Sequence, residues 1–434
     1  MGKSKKINIV TLGCSKNVVD SEYLMKQLET GGWELVHDSN DPSAKVVVVN
    51  TCGFIADAKE ESVNTIMSFV NAKNNGIIER LYVMGCLSQR YKDELMNEIP
   101  EVDGFYGVSD LPEILKQLET PHFIDCTNQR FITTPKHYAY LKISEGCNWG
   151  CSYCAIPLIR GKHISKPIDD LVEEANFLAN QGVKELMVIA QDSTYYGMDL
   201  YGKRMISELL DELCKIDKIE WIRLHYAYPA QFPVDLVATI KNNPKICKYI
   251  DIPFQHISDN VLKLMRRGIT KAETINFVEF IRKSIPDISI RTTFLVGHPG
   301  ETKEDFNELV DFVRQYRFDR VGVFTYSEEE GTHAAISMKD NIAQKEKERR
   351  SSEIMAIQQE ISLANNLKRV GQTLKVIVDS IDGEVIIGRS EYDSPEVDQE
   401  VLIRKPADKN VTPGDFIKVR ITTAQDYDLI GEMI

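Results

Sequence analysis

Residues 136–335 alternate six times between β-rich and helical segments, and this alternation constrains the fold more than any other feature of the chain. Apolar, β-branched runs are followed by segments with the 3.6-residue period of a helix, such as 168–181, 205–216 and 303–316. Because parallel strands need crossover connections, six such units predict a partial (βα)6 barrel. The predicted strands are 138–144, 185–190, 221–225, 249–253, 289–296 and 320–326.

Residues 1–135 show the same alternation and predict a separate parallel α/β domain ahead of the barrel. The run at 45–50 contains four consecutive valines, as in a strand covered on both faces. The predicted strands are 7–12, 45–50 and 81–84, and the predicted helices are 20–30 and 58–69.

The C-terminal part of the sequence changes character after a polar helix predicted at 341–368. From Val370 onward, short strands are separated by the turn sequences Asp382-Gly383 and Pro413-Gly414, which predict a small antiparallel barrel. We therefore predict an α/β protein with three domains, at 1–135, at 136–367 including the linker helix, and at 368–434.

Three cysteines follow the first strand of the predicted barrel, in the spacing Cys147-x-x-x-Cys151-x-x-Cys154 (the central triad). The C-terminal ends of barrel strands are where such folds carry their chemistry. Three thiolates can hold three corners of a cubane iron–sulfur cluster that takes four ligands, which leaves one iron open. A structural zinc site would need a second pair of cysteines or histidines nearby, and the sequence offers none.

Each predicted strand of the first domain also runs into a cysteine, and these are Cys14, Cys52 and Cys86 (the N-terminal triad). The carboxyl ends of parallel strands form a crevice at one edge of a sheet, so we expect the three thiols to converge on a second open cluster. The alternative is three unrelated core thiols, because cysteine is often buried. Core packing is the expectation for the remaining cysteines, Cys126, Cys214 and Cys247.

With two cysteine triads and a C-terminal β-barrel, the chain resembles the radical S-adenosylmethionine (SAM) methylthiotransferases. Members of this family combine an N-terminal methylthiotransferase domain, a radical-SAM barrel and a TRAM domain. The chain is most similar to the branch that modifies an aspartate of small-subunit ribosomal protein S-twelve, since Ser15-Lys16 stands where the tRNA-modifying branch typically has Gln-Met. The stretches that carry the resemblance are 13–22, 52–62, 190–201, 224–229, 251–256, 387–390 and 427–431.

The resemblance implies the cofactors and the reaction. Two 4Fe-4S clusters are expected, one on each triad, together with SAM. The central cluster would cleave SAM to a 5′-deoxyadenosyl radical that takes a hydrogen from the aspartate β-carbon. The N-terminal cluster would hold the sulfur that a second SAM methylates. A non-catalytic iron–sulfur electron carrier is a poorer interpretation, because it explains neither the open iron nor the six-unit barrel.

Five further residues are expected to bind the cofactor. Tyr153 occupies the position where the family places an aromatic side chain near adenine, although simple packing explains it equally well. Gln191 and Asp192 end a barrel strand, and Gly297 and Gly300 lie in a loop that allows close backbone approach. We assign no catalytic acid or base, and we interpret three strand-end histidines as hydrogen-bonded scaffolding, namely His225, His256 and His298.

The net charge of −13 bears on the partners, because nucleic-acid binding usually requires a basic surface. Residues 368–434 contain 9 basic and 13 acidic side chains, which suits a basic ribosomal protein better than a phosphate backbone. A tRNA adenosine methylthiotransferase is the alternative. We expect Asp393, Glu396 and Asp398 to present the acidic docking surface.

The remaining expectations concern the setting of the reaction. The substrate would be ribosomal protein S-twelve, free or in the ribosome, and a reducing electron-transfer protein would supply electrons. Nine cysteines without an export signal or an apolar membrane span predict a protein of the reducing cytoplasm that has no membrane partner. We also expect a monomer.

Overall fold

The computed structural model describes residues 5–406 and 409–434, and its first domain is built on a five-stranded sheet. The elements are β1 Lys6–Thr11, α1 Ser15–Thr30, β2 Glu34–His37, β3 Val46–Thr51, α2 Ala56–Asn74, β4 Arg80–Gly85, α3 Cys86–Glu98, β5 Gly104–Phe105 and α4 Leu111–Gln117, followed by a 3-10 turn at Ile124–Cys126. The strand order is β2-β1-β3-β4-β5, and every pairing is parallel. The predicted parallel sheet is confirmed, and the short edge strands β2 and β5 are additions to it.

Strand β3 explains why this sheet forms. Its residues Val47, Val48 and Val49 are almost completely buried, because helices cover both faces of a parallel sheet. One face packs against α2 and α3, and the other against α1 and α4. The three strands that end in cysteines, β1, β3 and β4, are direct neighbours at the centre of the sheet.

The central domain contains the six predicted parallel strands, with helices between them. Its elements are β6 Tyr138–Lys142, β7 Ser144–Glu145, α5 Ile156–Arg160, β8 Ile164–Ser165, α6 Ile168–Asn180, β9 Glu185–Ile189, a 3-10 turn at Ser193–Tyr195, α7 Ile206–Cys214, β10 Trp221–Leu224, α8 Val234–Asn242, β11 Tyr249–Asp251, α9 Asp259–Leu264, α10 Lys271–Ser284, β12 Ser289–Val296, α11 Lys303–Tyr316, β13 Arg320–Thr325, α12 His333–Ser337 and the linker helix α13 Gln344–Leu367.

These strands form two parallel sheets, β6-β9-β10 and β11-β12-β13. A parallel bridge between Ile222 and Ile246 joins the sheets, so the six strands follow one another around a partial barrel as predicted. The largest apolar core of the protein fills the space between these strands and helices. Strands β7 and β8 form a small separate antiparallel pair beside the cysteine loop.

The C-terminal domain is a closed five-stranded barrel, and it confirms the predicted architecture. Its strands are β14 Thr373–Asp382, β15 Val385–Ser390, β16 Val401–Arg404, β17 Phe416–Ala424 and β18 Leu429–Met433. Four of the pairings are antiparallel, and the closing pair β16–β18 is parallel. Within the described part of the chain, no helix combines the length and apolar character needed to cross a bilayer.

Buried charges attach this barrel to the central domain. The carboxylate of Glu185, on β9, accepts hydrogen bonds from Arg223 at 2.9 Å and from Arg389, on β15, at 2.8 Å. Burial alone would raise the pKa of Glu185, but the two guanidinium charges lower it to about 2. The glutamate is therefore ionised at neutral pH and links β9 of the central domain to β15 of the C-terminal barrel, 204 positions later in the sequence.

The three acidic residues expected on a docking surface instead belong to this interface. Asp393 is 1% exposed, and the Asp398 side chain is also 1% exposed. Each of the three is paired with the central domain, Asp393 with Arg320 (3.1 Å), Glu396 with Tyr138 and Tyr140 (2.9 and 3.1 Å) and Asp398 with Tyr249 (2.8 Å). The expectation that they bind a basic substrate is wrong for Asp393 and Asp398, because both side chains are buried and paired with Arg320 and Arg291. Glu396 is exposed, and for this residue the expectation stays a prediction.

Candidate active site

The loops that carry the N-terminal triad pack directly against one another. A Cβ atom added to Gly13 would lie 2.7 Å from the Cβ of Cys52, and one added to Gly53 would lie 2.7 Å from the backbone nitrogen of Leu87. Gly13 also has φ +92°, a conformation that favours glycine. The loops after the three strands therefore meet at one edge of the sheet, as predicted. They pack so closely that no side chain would fit at Gly13 or Gly53.

The surroundings of the N-terminal triad fit iron–sulfur ligation. Burial raises the pKa of the Cys86 thiol to about 12, and the Arg160 charge acts in the opposite direction. Arg160 Nη2 lies 3.4 Å from Cys86 Sγ. Burial likewise raises the pKa of Cys52, which backbone N–H groups partly oppose. Cys86 begins α3, and the positive end of that helix dipole favours the thiolate that a metal requires. Cys14 lies just before the first residue of α1.

The central triad lies in the loop that follows β7, as predicted. Burial raises the pKa values of Cys147 and Cys154 to about 12, while backbone N–H groups and the Arg267 charge lower them. Arg267 Nη1 approaches Cys151 Sγ to 3.4 Å, and the Tyr228 hydroxyl is 3.6 Å from the same sulfur. These donors and this cation would stabilise thiolates in a site largely removed from water.

Among residues 5–406 and 409–434, no three histidine, cysteine or acidic side chains converge on a point where one metal ion would bind. Each thiolate of a cubane cluster binds a different iron, so the ligands must surround the cluster.

The side chain of Asp192 organises the central loop. Its Oδ2 accepts a hydrogen bond from Trp149 Nε1 at 2.6 Å, and its Oδ1 accepts one from the Thr194 backbone at 2.8 Å. Trp149 in turn stacks on Tyr228, with ring centroids 4.1 Å apart. Asp192 therefore fixes the tryptophan between Cys147 and Cys151, and its predicted contact with SAM stays a prediction.

The other predicted cofactor contacts lie at the same end of the barrel. Gln191 Nε2 donates to Glu145 Oε1 at 3.2 Å, and its Oε1 is buried without a hydrogen-bond partner among the described residues. The Tyr153 ring meets His298 edge-on at 6.3 Å and packs beside Met265. A role in binding adenine is compatible with this packing and stays a prediction.

Both loop glycines adopt positive φ, +78° at Gly297 and +89° at Gly300. The groups that approach them are protein side chains: an added Cβ would meet Lys347 Cγ at 2.3 Å or Leu264 Cδ1 at 2.7 Å, respectively. The close approach expected at this loop is therefore used for packing against α13 and α9. Cofactor binding by the loop stays a prediction.

The strand-end histidines are hydrogen-bonded, as interpreted from the sequence. His225 Nε2 lies 2.9 Å from Ser394 Oγ in the C-terminal barrel, and His256 Nδ1 accepts from the Ser258 backbone at 3.1 Å. His298 Nε2 lies 3.1 Å from Ser152 Oγ, inside the central cysteine loop. Burial lowers the pKa of His298 to about 4, so its imidazole is neutral at physiological pH.

Arg160 connects the two triads, a role that the sequence analysis missed. Its Nη1 donates to Glu145 Oε1 at 2.9 Å, two residues before Cys147. Its Nη2 donates to Asn17 Oδ1 at 2.6 Å, besides its contact with Cys86. The only local signal was the position of Arg160, six residues after the last cysteine of the central motif.

A second connection runs through the loop after β10. Lys16, on α1, places its Nζ 3.1 Å from the ring centroid of Tyr226, and Tyr228 contacts Cys151. One short loop therefore touches both cysteine-bearing regions. Arg160 and the loop after β10 thus each connect the N-terminal triad region with the central cysteine loop.

Comparison with known proteins agrees with this architecture. Three family descriptions match in order along the chain: Uncharacterized protein family UPF0004 over residues 6–107, the Radical SAM superfamily over 141–313 and the TRAM domain over 370–434. A protein of Bacteroides fragilis called ribosomal protein uS12 methylthiotransferase RimO is 54% identical over 100% of both chains. One of the same name from Cytophaga hutchinsonii is 52% identical over 99% of this chain and 98% of its own.

The chain belongs to the RimO family of methylthiotransferases. As a RimO-family protein it is a radical-SAM methylthiotransferase, and the superfamily implies SAM and a 4Fe-4S cluster. Among solved structures, the radical SAM methyltransferase TsrM from Kitasatospora setae superposes with a TM-score of 0.57 at 15% identity, covering 77% of each chain. The cobalamin-dependent SAM radical enzyme OxsB gives 0.52 at 12% identity, covering 81% of this chain and 56% of its own. These two structures support the fold alone.

Proposed function

We propose that this RimO-family enzyme acts on ribosomal protein uS12 and attaches a methylthio group to the β-carbon of one of its aspartates. The observation that carries the proposal is the identity of 54% and 52%, over essentially full length, to relatives named as uS12 methylthiotransferases. The contacts that link the two cysteine-bearing regions support it as well, because the reaction needs a hydrogen acceptor and a sulfur donor close to one carbon.

The C–H bond at an aspartate β-carbon is neither acidic nor electrophilic, so acid–base or nucleophilic catalysis does not reach it. SAM bound at a reduced 4Fe-4S cluster supplies the radical that takes this hydrogen. In the proposed division of roles, Cys147, Cys151 and Cys154 hold that cluster. The N-terminal triad holds a second 4Fe-4S cluster, which carries the sulfur to be transferred.

The chain's own contribution is to orient and enclose these groups. Arg267 places a positive charge beside Cys151, and Arg160 places one beside Cys86. Trp149, held by Asp192, closes the central loop against Tyr228. Such fixed positioning favours transfer between the two sides of the site and excludes water. We also propose that Tyr153, Gln191, Asp192, Gly297 and Gly300 line the SAM site.

The proposal also includes the form of the substrate, the electron donor, the oligomeric state and the cellular location of the enzyme. uS12 is bound free or in the ribosome, a reducing electron-transfer protein feeds the central cluster, and the enzyme acts as a monomer in the cytoplasm, where ribosomal proteins are made. We propose domain boundaries at residues 135 and 367, on either side of the central domain with its linker helix.

The test is tandem mass spectrometry of purified uS12 after incubation with anaerobically reconstituted enzyme, SAM and a reductant, with bulk tRNA in a parallel reaction. The expected product is uS12 with one methylthio group on an aspartate and unmodified tRNA. A methylthio group on tRNA adenosine, with uS12 unchanged, would overturn the proposal.

A further inference from the structure

Lys16 is a buried lysine without a carboxylate partner. Its residue is 7% exposed, like those of Lys142 (7%) and Lys347 (3%). Lys142 pairs with Glu145 at 2.7 Å and Lys347 with Asp340 at 2.5 Å. For Lys16, the contact within the described chain is the Tyr226 ring, and its ammonium has no ion pair or hydrogen bond to residues 5–406 and 409–434.

Lys16 lies close to the N-terminal triad in sequence and contacts the loop that reaches the central triad. It lies in the first turn of α1, two residues after Cys14. Its aromatic partner Tyr226 is two residues from Tyr228, whose hydroxyl is 3.6 Å from Cys151 Sγ. The ammonium therefore contacts the loop that reaches the central triad, while its own helix begins beside the N-terminal triad.

The Lys16 ammonium keeps some contact with solvent, so a ligand can reach it, and the face of the Tyr226 ring supplies no full counter-charge. The N-terminus of α1 adds a further partial positive charge beside it. The surroundings thus favour an anion that the chain itself does not supply. A carboxylate meets this requirement, and the β-carbon of an aspartate is bonded directly to its carboxyl carbon.

We propose that Lys16 binds the side-chain carboxylate of the substrate aspartate and so positions its β-carbon between the two triads. This inference rests on the proposed action on uS12 and adds the residue that selects aspartate. It predicts discrimination against asparagine, whose amide carries no charge to pair with the ammonium.

The test is a thermodynamic cycle of binding affinities. The Kd of reconstituted enzyme with SAM is measured for uS12 and for uS12 in which the target aspartate is replaced by asparagine. Removing one member of a buried charge pair typically costs at least about 2 kcal/mol, which corresponds to about 30-fold in Kd. We expect wild-type enzyme to prefer the aspartate form by about 30-fold and Lys16→Met to bind both forms equally.

Two further variants complete the design. Lys16→Arg keeps the charge and should keep a preference for aspartate, so it tests the idea even if Lys16→Met cannot be loaded with iron. Lys26→Met is the matched control, because Lys26 lies on the same helix and pairs with Glu29 at 2.9 Å, away from the triads. Its preference should equal that of wild type.

The possible outcomes distinguish the role of Lys16 from the proposed action on uS12. A preference for aspartate that survives in Lys16→Met, or that is lost equally in Lys26→Met, overturns the role of Lys16 and leaves the action on uS12 standing. Wild-type enzyme that cleaves SAM but neither binds nor modifies uS12 overturns the proposed function and this inference with it.

Discussion

Replacing Glu185 by glutamine should weaken the attachment of the C-terminal barrel more than any exposed charge substitution. The carboxylate is fully buried between Arg223 and Arg389, and glutamine keeps its size while removing its charge. Its pKa of about 2, against an ordinary 4.5, corresponds to about 3 kcal/mol, since one pKa unit is about 1.4 kcal/mol. Removing one partner of a buried ion pair typically lowers the free energy of unfolding by about 3–5 kcal/mol, which agrees with this figure. We therefore expect Glu185→Gln to lower the free energy of unfolding by about 3 kcal/mol.

The assay is urea unfolding of the reconstituted enzyme, followed by far-UV circular dichroism. The matched control is Glu220→Gln, because Glu220 pairs with Lys375 across the same domain boundary at 3.0 Å while both side chains are more than 40% exposed. An exposed ion pair contributes only about 0–1 kcal/mol to the free energy of unfolding. Equal losses in the two variants would refute the reasoning.

The pH dependence has a defined sign. Because folding lowers the pKa of Glu185, its contribution is complete above the unfolded value of about 4.5 and is lost as pH falls toward about 2. The difference between wild type and Glu185→Gln should therefore be the same at about pH 8 and about pH 5. A difference that shrinks between these two values would show that the carboxylate titrates higher than this structure implies.

Two further predictions concern the triads. Replacing Cys147, Cys151 and Cys154 by alanine should halve the bound iron and abolish reductive cleavage of SAM; 5′-deoxyadenosine production in this variant would contradict the assignment. Arg160→Met should lower the reduction potential of the N-terminal cluster by about 60 mV, because a cation beside Cys86 favours the more negative reduced state and 59 mV is tenfold in a one-electron equilibrium. Arg160→Lys should recover part of this shift in an EPR redox titration, and an unchanged potential in Arg160→Met would argue against it.

The positions of the cysteines were predictable because strand ends can be located from sequence. The apolar period places β1, β3 and β4 to within a residue or two, and the parallel arrangement then brings Cys14, Cys52 and Cys86 to one edge. The start of α1 was predicted at residue 20 but lies at Ser15. Polar residues there resembled a loop, yet Asn17 donates to the carbonyls of Leu12 and Thr51 and holds the neighbouring loops together.

The domain interfaces were not predictable, because their charge pairs have no local signal. Glu185 and Arg389 are separated by about two hundred residues, and Asp393 resembles any surface aspartate in sequence. The link from Arg160 to Cys86 likewise depends on how two domains dock. Secondary-structure period and strand-end rules describe each domain separately and carry no information about the partner of a buried charge.

The most direct test is a variant that separates reductive SAM cleavage from methylthio transfer. Cys14, Cys52 and Cys86 are replaced together by alanine, and 5′-deoxyadenosine and methylthio-uS12 are quantified in the same anaerobic reaction with SAM and reductant. We predict that SAM cleavage persists, because the radical is generated at the central triad. We also predict that no methylthio-uS12 forms. Methylthio transfer at the wild-type rate, or loss of SAM cleavage in a variant that retains its central cluster, would contradict these predictions.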